Sequence, residues 1–141
     1  MSTELQAKSR RPLMIVDDDS AIRELIEIIV ESEGYPVVTA ADGNEALGHL
    51  RSGLKPGVIL LDLRMPGMDG QTFREVQRRD PTLAGIPIVI LSGDRDASGL
   101  AARLGADCIP KPIDLDRLLS ITKFFCGCSL LGGAPNHSAR S

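Results

Sequence analysis

The chain has 141 residues, the length of one ordinary domain, and 43% of them are hydrophobic while 25% are charged. This composition is typical of folded globular proteins and excludes a chain that is disordered throughout. Sixteen Lys and Arg residues against nineteen Asp and Glu residues give a net charge of −3, which argues against direct nucleic-acid binding through a basic face. Residues 13–125 hold twelve basic and eighteen acidic residues, so the acidity is concentrated there.

No stretch approaches the roughly 18 consecutive apolar residues of a membrane span, and the N-terminal residues lack the apolar core of a signal peptide. We therefore expect no membrane insertion. The three cysteines show no disulfide spacing, so we expect reduced thiols and a cytoplasmic location. We expect a flexible N-terminal segment over residues 1–11, one folded domain over 12–125 and a flexible C-terminal tail over 126–141.

Short apolar runs alternate with helical patterns along the predicted domain. The runs cover residues 12–16, 35–40, 57–61, 86–91 and 108–109. Asp19 or Ser20 is the expected N-cap of the first helix. Its predicted buried face comprises Ile22, Leu25, Ile26 and Ile29. The second helix is expected after Asp42, with a shared face of Ala46, Leu47, Leu50 and Leu54. Later helices are expected near residues 73–76, 100–104 and 115–122.

Five strand–helix units in this order predict an α/β fold with a doubly wound, five-stranded parallel sheet and helices on both faces. In such sheets the carboxyl ends of the strands gather at one edge, where ligands bind. The side chains at these strand ends are therefore the candidate functional residues. They are Asp17 and Asp18 after the first strand, Asp62 after the third, Ser92 after the fourth and Lys111 after the fifth.

Carboxylates that lie close together repel one another unless a cation lies among them. Mg²⁺ is the expected ion, because it takes oxygen ligands, needs few of them from the protein and keeps waters. A phosphoryl group would then be contacted by the hydroxyl of Ser92 and the ammonium of Lys111, which spread its charge. Asp62 is the carboxylate best placed to attack phosphorus.

Four motifs, in this order, resemble the receiver domain of two-component signalling, the response-regulator or CheY-like family. They are Val16–Ser20, Asp62–Gly70, Ser92-Gly93 and Lys111-Pro112, and the resemblance covers residues 12–125. It implies a flavodoxin-like sheet of order 2-1-3-4-5. It also implies that Asp62 is the phosphoacceptor, loaded by a sensor histidine kinase or a phosphotransfer protein. Mg²⁺ would be bound by Asp17, Asp18, Asp62 and the backbone carbonyl of Arg64, with Ser92 and Lys111 on the phosphoryl group and a cis Lys111–Pro112 peptide.

The segment from Ser92 to Lys111 departs from the family pattern. It spans 19 positions, a few fewer than usual in the family, and Cys108 stands where the family has an aromatic switch residue. This predicts a short or shifted fourth helix. Phosphorylation itself requires none of these residues.

The leading hypothesis is a stand-alone signalling switch that catalyses only its own phosphorylation and dephosphorylation. Residues 126–141 are too few for a DNA-binding domain, so the expected output is contact with a downstream protein, unless the chain is a fragment of a longer regulator. A homodimer is left open. One alternative is a degenerate receiver that binds partners without phosphorylation. Another is a small aspartate-nucleophile phosphatase, although Asp62-Leu63-Arg64 lacks the second acid of that class. A flavodoxin-like nucleotide binder is disfavoured, because no Gly-rich phosphate loop follows the first strand.

Overall fold

The computed structural model describes residues 10–93 and 97–127, in which strands and helices alternate. The strands are β1 (Leu13–Val16), β2 (Val37–Ala40), β3 (Val58–Asp62), β4 (Ile88–Ser92) and β5 (Asp107–Pro110). The helices are α1 (Ser20–Ser32), α2 (Gly43–Arg51), α3 (Gly70–Arg79), α4 (Ala97–Arg103) and α5 (Leu115–Cys126).

The strands form one parallel sheet in the order β2-β1-β3-β4-β5, which confirms the predicted doubly wound topology. The register pairs Val16 of β1 with Leu61 of β3, and Asp62 with Leu91 of β4. Ser92 pairs in turn with Pro110 of β5. The carboxyl ends of these strands therefore lie at one side of the sheet, called the carboxyl edge below.

Helices cover both faces of the sheet, so there are two hydrophobic cores. Each strand contributes to both cores, because its side chains point alternately to the two faces. Leu13 and Ile15 of β1 belong to the core under α1 and α5. Met14 and Val16 belong to the core on the opposite face, under α2, α3 and α4. All four residues of β1 are fully buried. Each large side chain buried in this way contributes about 1.5–3 kcal/mol to folding.

Aspartates form the N-caps of four helices, namely Asp19, Asp42, Asp69 and Asp114. Their carboxylates accept hydrogen bonds from backbone amides of the first turn, which otherwise have no partner. The cap of α1 is Asp19, with Ser20 as the first helical residue. Local acids thus set where the helices begin.

One predicted core position and one predicted helix position are wrong. Leu25 is 49% exposed, because Ile26 and Val30 form the centre of the buried face of α1 and Leu25 lies outside it. Leu54 is not on the face of α2, which ends at Arg51, although it packs against the same core from the following loop. The fourth helix, α4, has seven residues and is the shortest helix of the described ranges, as the short segment before Lys111 predicted.

Both ends of the folded region extend slightly beyond residues 12–125. The Nη1 atom of Arg10 donates to the backbone oxygen of Gly34 at 2.8 Å, and its guanidinium lies 4.5 Å from the ring centroid of Tyr35. At the other end, α5 continues to Cys126, which is buried. Residues 1–9 and 128–141, including Cys128, lie outside the described residues. None of the helices described is long and apolar enough to cross a membrane.

Candidate functional site at the carboxyl edge

Asp17 is the most deeply placed acid of the carboxyl edge, with no exposed surface. It directly follows β1, all four residues of which are buried. Its Oδ1 accepts a hydrogen bond from the amide of Asp19 at 2.9 Å. Its Oδ2 lies 3.2 Å from the Nζ of Lys111. The buried carboxylate of Asp17 thus has a hydrogen-bond donor at one oxygen and an ammonium at the other.

Asp62, the last residue of β3, is 6% exposed. Burial raises its pKa from the ordinary 3.8 to about 6, and the neighbouring Asp17 charge raises this pKa as well. The Lys111 charge and the amide of Arg64, which donates to Oδ1 at 3.3 Å, oppose that rise in the pKa of Asp62. At neutral pH the group is therefore mostly an ionised carboxylate, but one that is held at an energetic disadvantage.

Lys111 joins the two acids across the fold. Its Nζ lies 3.2 Å from Asp17 Oδ2 and 3.7 Å from Asp62 Oδ1. Its backbone amide donates to the backbone oxygen of Ser92 at 3.0 Å, and the Lys111–Pro112 peptide is cis, as predicted. The ammonium group thus lies within ion-pair distance of the carboxylates that follow β1 and β3.

Asp18 completes a group of three acids, and it is exposed. Asp17, Asp18 and Asp62 can each offer one carboxylate oxygen such that these atoms lie within 4.8 Å of one another. Asp17 and Asp62 share the ammonium of Lys111, and Asp18 adds a third carboxylate to this set of acids, which we call the carboxyl cluster. The donor chemistry, all oxygen and partly solvated, fits a hard divalent cation such as Mg²⁺.

Ser92 and the loop after β3 border the carboxyl cluster. Ser92 is 4% exposed and lies one position past Leu91, the register partner of Asp62. The loop returns to the cluster at Gly70, whose amide donates to the backbone oxygen of Leu63. A Cβ built on Gly70 would lie 2.5 Å from the backbone oxygen of Asp62, so this close approach requires glycine.

The structure brings together Asp17, Asp18, Asp62 and Lys111, and places Ser92 at the same edge. Arg64 has an exposed side chain and an amide bonded to Asp62, while the metal-binding role of its carbonyl stays a prediction. Arg23 was missed from the sequence. Its Nη1 donates to the backbone oxygen of Asp17 at 2.7 Å. The only sequence signal was a basic residue in the first helical turn after the acids, which is too common to be informative.

Comparison with known proteins identifies similar sequences and structures among response regulators. The family model described as "Response regulator receiver domain" matches residues 13–123. The DNA-binding transcriptional regulator NtrC of Salmonella typhimurium is 39% identical over 113 residues, which cover 77% of this chain and 23% of NtrC. The chain thus spans about a quarter of the length of that relative.

Two solved structures share the fold over most of their length. The chemotaxis protein CheY4 of Vibrio cholerae has a TM-score of 0.73 and 28% identity, with 82% of this chain and 98% of CheY4 covered. The phosphorylated cyanobacterial phytochrome response regulator RcpA has a TM-score of 0.69 and 30% identity, with 82% of this chain and 94% of RcpA covered. Sheet order, site geometry and the match over residues 13–123 lead to one conclusion: the chain belongs to the response regulator receiver domain family of two-component signalling.

Proposed function

We propose that the chain is a phosphorylation-dependent switch in which Asp62 accepts a phosphoryl group from the phosphohistidine of a sensor histidine kinase or phosphotransfer protein. The observation that carries this proposal is the position of Lys111 Nζ, within 3.7 Å of both Asp17 and Asp62 at the carboxyl edge. Phosphoryl transfer needs a nucleophilic carboxylate, a cation that stabilises the charge of the phosphoryl oxygens, and acids that can bind a metal ion.

In the proposed reaction, a carboxylate oxygen of Asp62 attacks phosphorus. An oxygen–phosphorus bond forms while the bond between phosphorus and the donor histidine nitrogen breaks, and the imidazole keeps the electron pair of that bond. Hydrolysis reverses the modification: water attacks phosphorus, phosphate leaves and the Asp62 carboxylate is restored. The chain would catalyse these two steps on itself only.

Mg²⁺ would be held by Asp17, Asp18, Asp62 and the backbone carbonyl of Arg64, and it would neutralise charge on the phosphoryl oxygens. The residues of the chain do the rest. Lys111 supplies a positive charge from the position just after β5, and Ser92 supplies a hydroxyl from the end of β4. Burial of Asp17 keeps its carboxylate oriented toward Lys111.

The exposed face of α1 suits a protein donor. Leu25 and Ile28 are 49% and 67% exposed, and they lie one turn apart on the helix that begins beside Asp17–Asp19. Exposed aliphatic pairs of this kind are typical of helix-to-helix contact surfaces. A donor helix on this face would bring its phosphohistidine to the carboxyl edge, and a receiver signals in turn by contact with a downstream protein. A cytoplasmic location is part of the same proposal.

The first experiment is incubation with acetyl phosphate and Mg²⁺, followed by intact-protein mass spectrometry. We expect an adduct of about 80 Da that hydroxylamine removes, that EDTA prevents and that Asp62→Asn lacks. Failure to form this adduct with acetyl phosphate and with a phosphohistidine donor would contradict the proposal and favour the phosphorylation-independent interaction domain. Turnover of phosphomonoesters would instead favour the phosphatase.

The second experiment separates the donor surface from the chemistry. Ile28→Glu should slow transfer from any phosphohistidine protein that loads the wild-type chain by about tenfold, because a charge replaces an apolar contact. Its reaction with acetyl phosphate should be unchanged. Phe124→Glu, at an exposed apolar position on α5, is the control. Equal transfer rates for the two variants would show that α1 is not the donor surface.

A further inference from the structure

The sheet has a second feature at its other end, the amino edge, where β1, β3 and β4 begin. A cavity of about 590 Å³ lies between the segment that joins α2 to β3 and the segment that joins α3 to β4. Arg11, just before β1, forms part of its wall. The cavity is at the opposite end of the strands from Asp62, and its size is within the range of small-molecule sites.

The polar lining of this cavity is cationic. Arg11, Arg51 and Lys55 are exposed side chains that line it, and no lining residue of the described ranges carries a carboxylate. Within those ranges neither Arg11 nor Lys55 forms a salt bridge. Asp80 lies close to Arg51, but hydrogen bonds from Thr82 are the larger cause of its lowered pKa, with Arg51 a smaller one. Positive charge therefore remains available in a chain of net charge −3.

The rest of the lining is largely apolar. Leu50 and Leu54 form one wall, and Leu83 and Ile86 form the other. A ligand that matches this surface needs an apolar body and an acidic group, since an inorganic anion would leave the aliphatic walls without a partner. Charge attracts such a ligand, and the apolar walls contribute the hydrophobic part of its affinity.

The cavity wall is held in place from inside the protein. Gln77 of α3 is fully buried, and its Nε2 donates to the backbone oxygens of Leu83 and Ile86 at 2.8 and 3.0 Å. Its Oε1 accepts a hydrogen bond from Arg74, which is also buried. On the opposite wall the amide of Leu54 donates to the oxygen of His49. A wall fixed in this way needs little ordering when a ligand binds.

We propose that this cavity is a binding site for a small organic anion with an apolar body, a carboxylate or sulfonate class of ligand, and that Arg11, Arg51 and Lys55 hold its acidic group. The site is independent of phosphoryl transfer at Asp62, so Asp62→Asn should leave it unchanged. A small molecule is favoured over a protein segment because a volume of about 590 Å³ between two fixed walls matches the size of a compact ligand.

The test uses octanoate and 2-naphthoate as probes, with acetate and 1-octanol as controls that lack the apolar body or the charge. Titrations are followed by ¹H–¹⁵N NMR of the full chain. Both probes should shift resonances of residues 50–56 and 81–87, and both controls should bind about tenfold more weakly or not at all. Arg51→Gln/Lys55→Gln should weaken probe binding about tenfold.

Two matched variants make the result decisive. Arg78→Gln/Arg103→Gln removes the same charge from exposed positions outside the cavity and should leave binding unchanged. Arg51→Lys/Lys55→Arg keeps the charge and should keep the affinity. The assignment would be overturned if Arg51→Gln/Lys55→Gln bound the probes as tightly as the wild type. It would also be overturned if the wild type showed no resonance shifts at millimolar probe. So would exclusive binding of an acidic Glu-Leu peptide, which would make the cavity a docking site for a protein segment.

Discussion

The domain contains two polar clusters of opposite character. In the carboxyl cluster, Asp17 and Asp62 share the ammonium of Lys111, and the pKa of Asp62 is raised to about 6, first by burial and then by Asp17. In the second cluster, which we call the arginine–glutamine cluster, each hydrogen bond runs from an amide or guanidinium to a neutral oxygen. Its bonds join Arg74 to the oxygens of Leu104 and Gly105 and to Gln77, and Gln77 to the oxygens of Leu83 and Ile86.

The difference separates two uses of buried polarity. Buried polar groups whose bonds are satisfied fix neighbouring segments in one arrangement, here α3 against the loop before β4 and the end of α4. A set of like charges keeps an unfavourable energy that a bound metal cation can relieve, and such sets are candidates for functional sites. Breaking the arginine–glutamine cluster should therefore destabilise the domain, whereas removing the Asp62 charge from the carboxyl cluster should stabilise the domain and abolish the proposed phosphorylation.

The largest expected effect is the loss of the arginine–glutamine cluster. Arg74→Met should lower the free energy of unfolding by about 3 kcal/mol, because it leaves buried oxygens of Leu104 and Gln77 without a donor. Urea denaturation measures this loss. Arg78→Met, at an exposed position on the same helix, should change stability by no more than about 0.5 kcal/mol. A loss below about 1 kcal/mol for Arg74→Met would show that Arg74 is replaceable.

The second largest effect concerns the loop that borders the carboxyl cluster. Gly70→Ala should cost about 2 kcal/mol, because the new Cβ meets the backbone of Asp62 and Leu63, which cannot move without shifting the acid. Gly99→Ala in α4 is the control, since nothing lies within 4 Å of its Cβ. It should stabilise the chain by up to about 1 kcal/mol through helix propensity. Similar stability of the two variants would refute the tight approach at Gly70.

The sequence predicted the carboxyl cluster because the position of a residue at a strand end determines where it lies in a parallel sheet. Asp17, Asp62 and Lys111 each follow an apolar run, so the sheet order alone brings them together across 94 positions of chain. The number of charges and the order of motifs could be read directly. The raised pKa of Asp62, caused first by burial, could not, because it depends on how completely neighbouring side chains exclude water.

The arginine–glutamine cluster could not be predicted from the sequence. Arg74 and Gln77 lie on α3, where the pattern identified only Phe73 and Val76 as apolar positions, and polar residues are normally placed on the solvent face. Their burial depends on carbonyl oxygens of irregular loops, for which periodicity gives no positions. The predicted burial of Leu25 was wrong for a related reason. A pattern of four apolar residues does not determine the exact rotation of a helix about its axis.

The third prediction tests the conflict of charges in the carboxyl cluster. In EDTA at pH 7, Asp62→Asn should raise the free energy of unfolding by about 1.5 kcal/mol, because an amide keeps the bond to Arg64 without repelling Asp17. The folded pKa of Asp62, about 6, lies above the ordinary 3.8. The wild type therefore loses stability relative to the variant as the pH rises from about 4 to about 6. Urea denaturation at several pH values measures the difference, and a pH-independent difference would refute the raised pKa.

The smallest expected effect concerns Arg23. Its guanidinium contacts the carboxyl cluster by donating to a backbone carbonyl oxygen, as Arg74 does in the arginine–glutamine cluster. Arg23→Met should cost about 1 kcal/mol, since its half-buried bond to the Asp17 oxygen is lost while the carboxylate keeps Lys111 and the amide of Asp19. Mg²⁺ affinity, measured by calorimetry, should fall more than stability does, because the loop that carries Asp17 and Asp18 loses its fixed position. Glu24→Met, an exposed neighbour on α1, is the control. If both variants bind Mg²⁺ equally well, Arg23 stabilises the helix alone and has no part in shaping the acids.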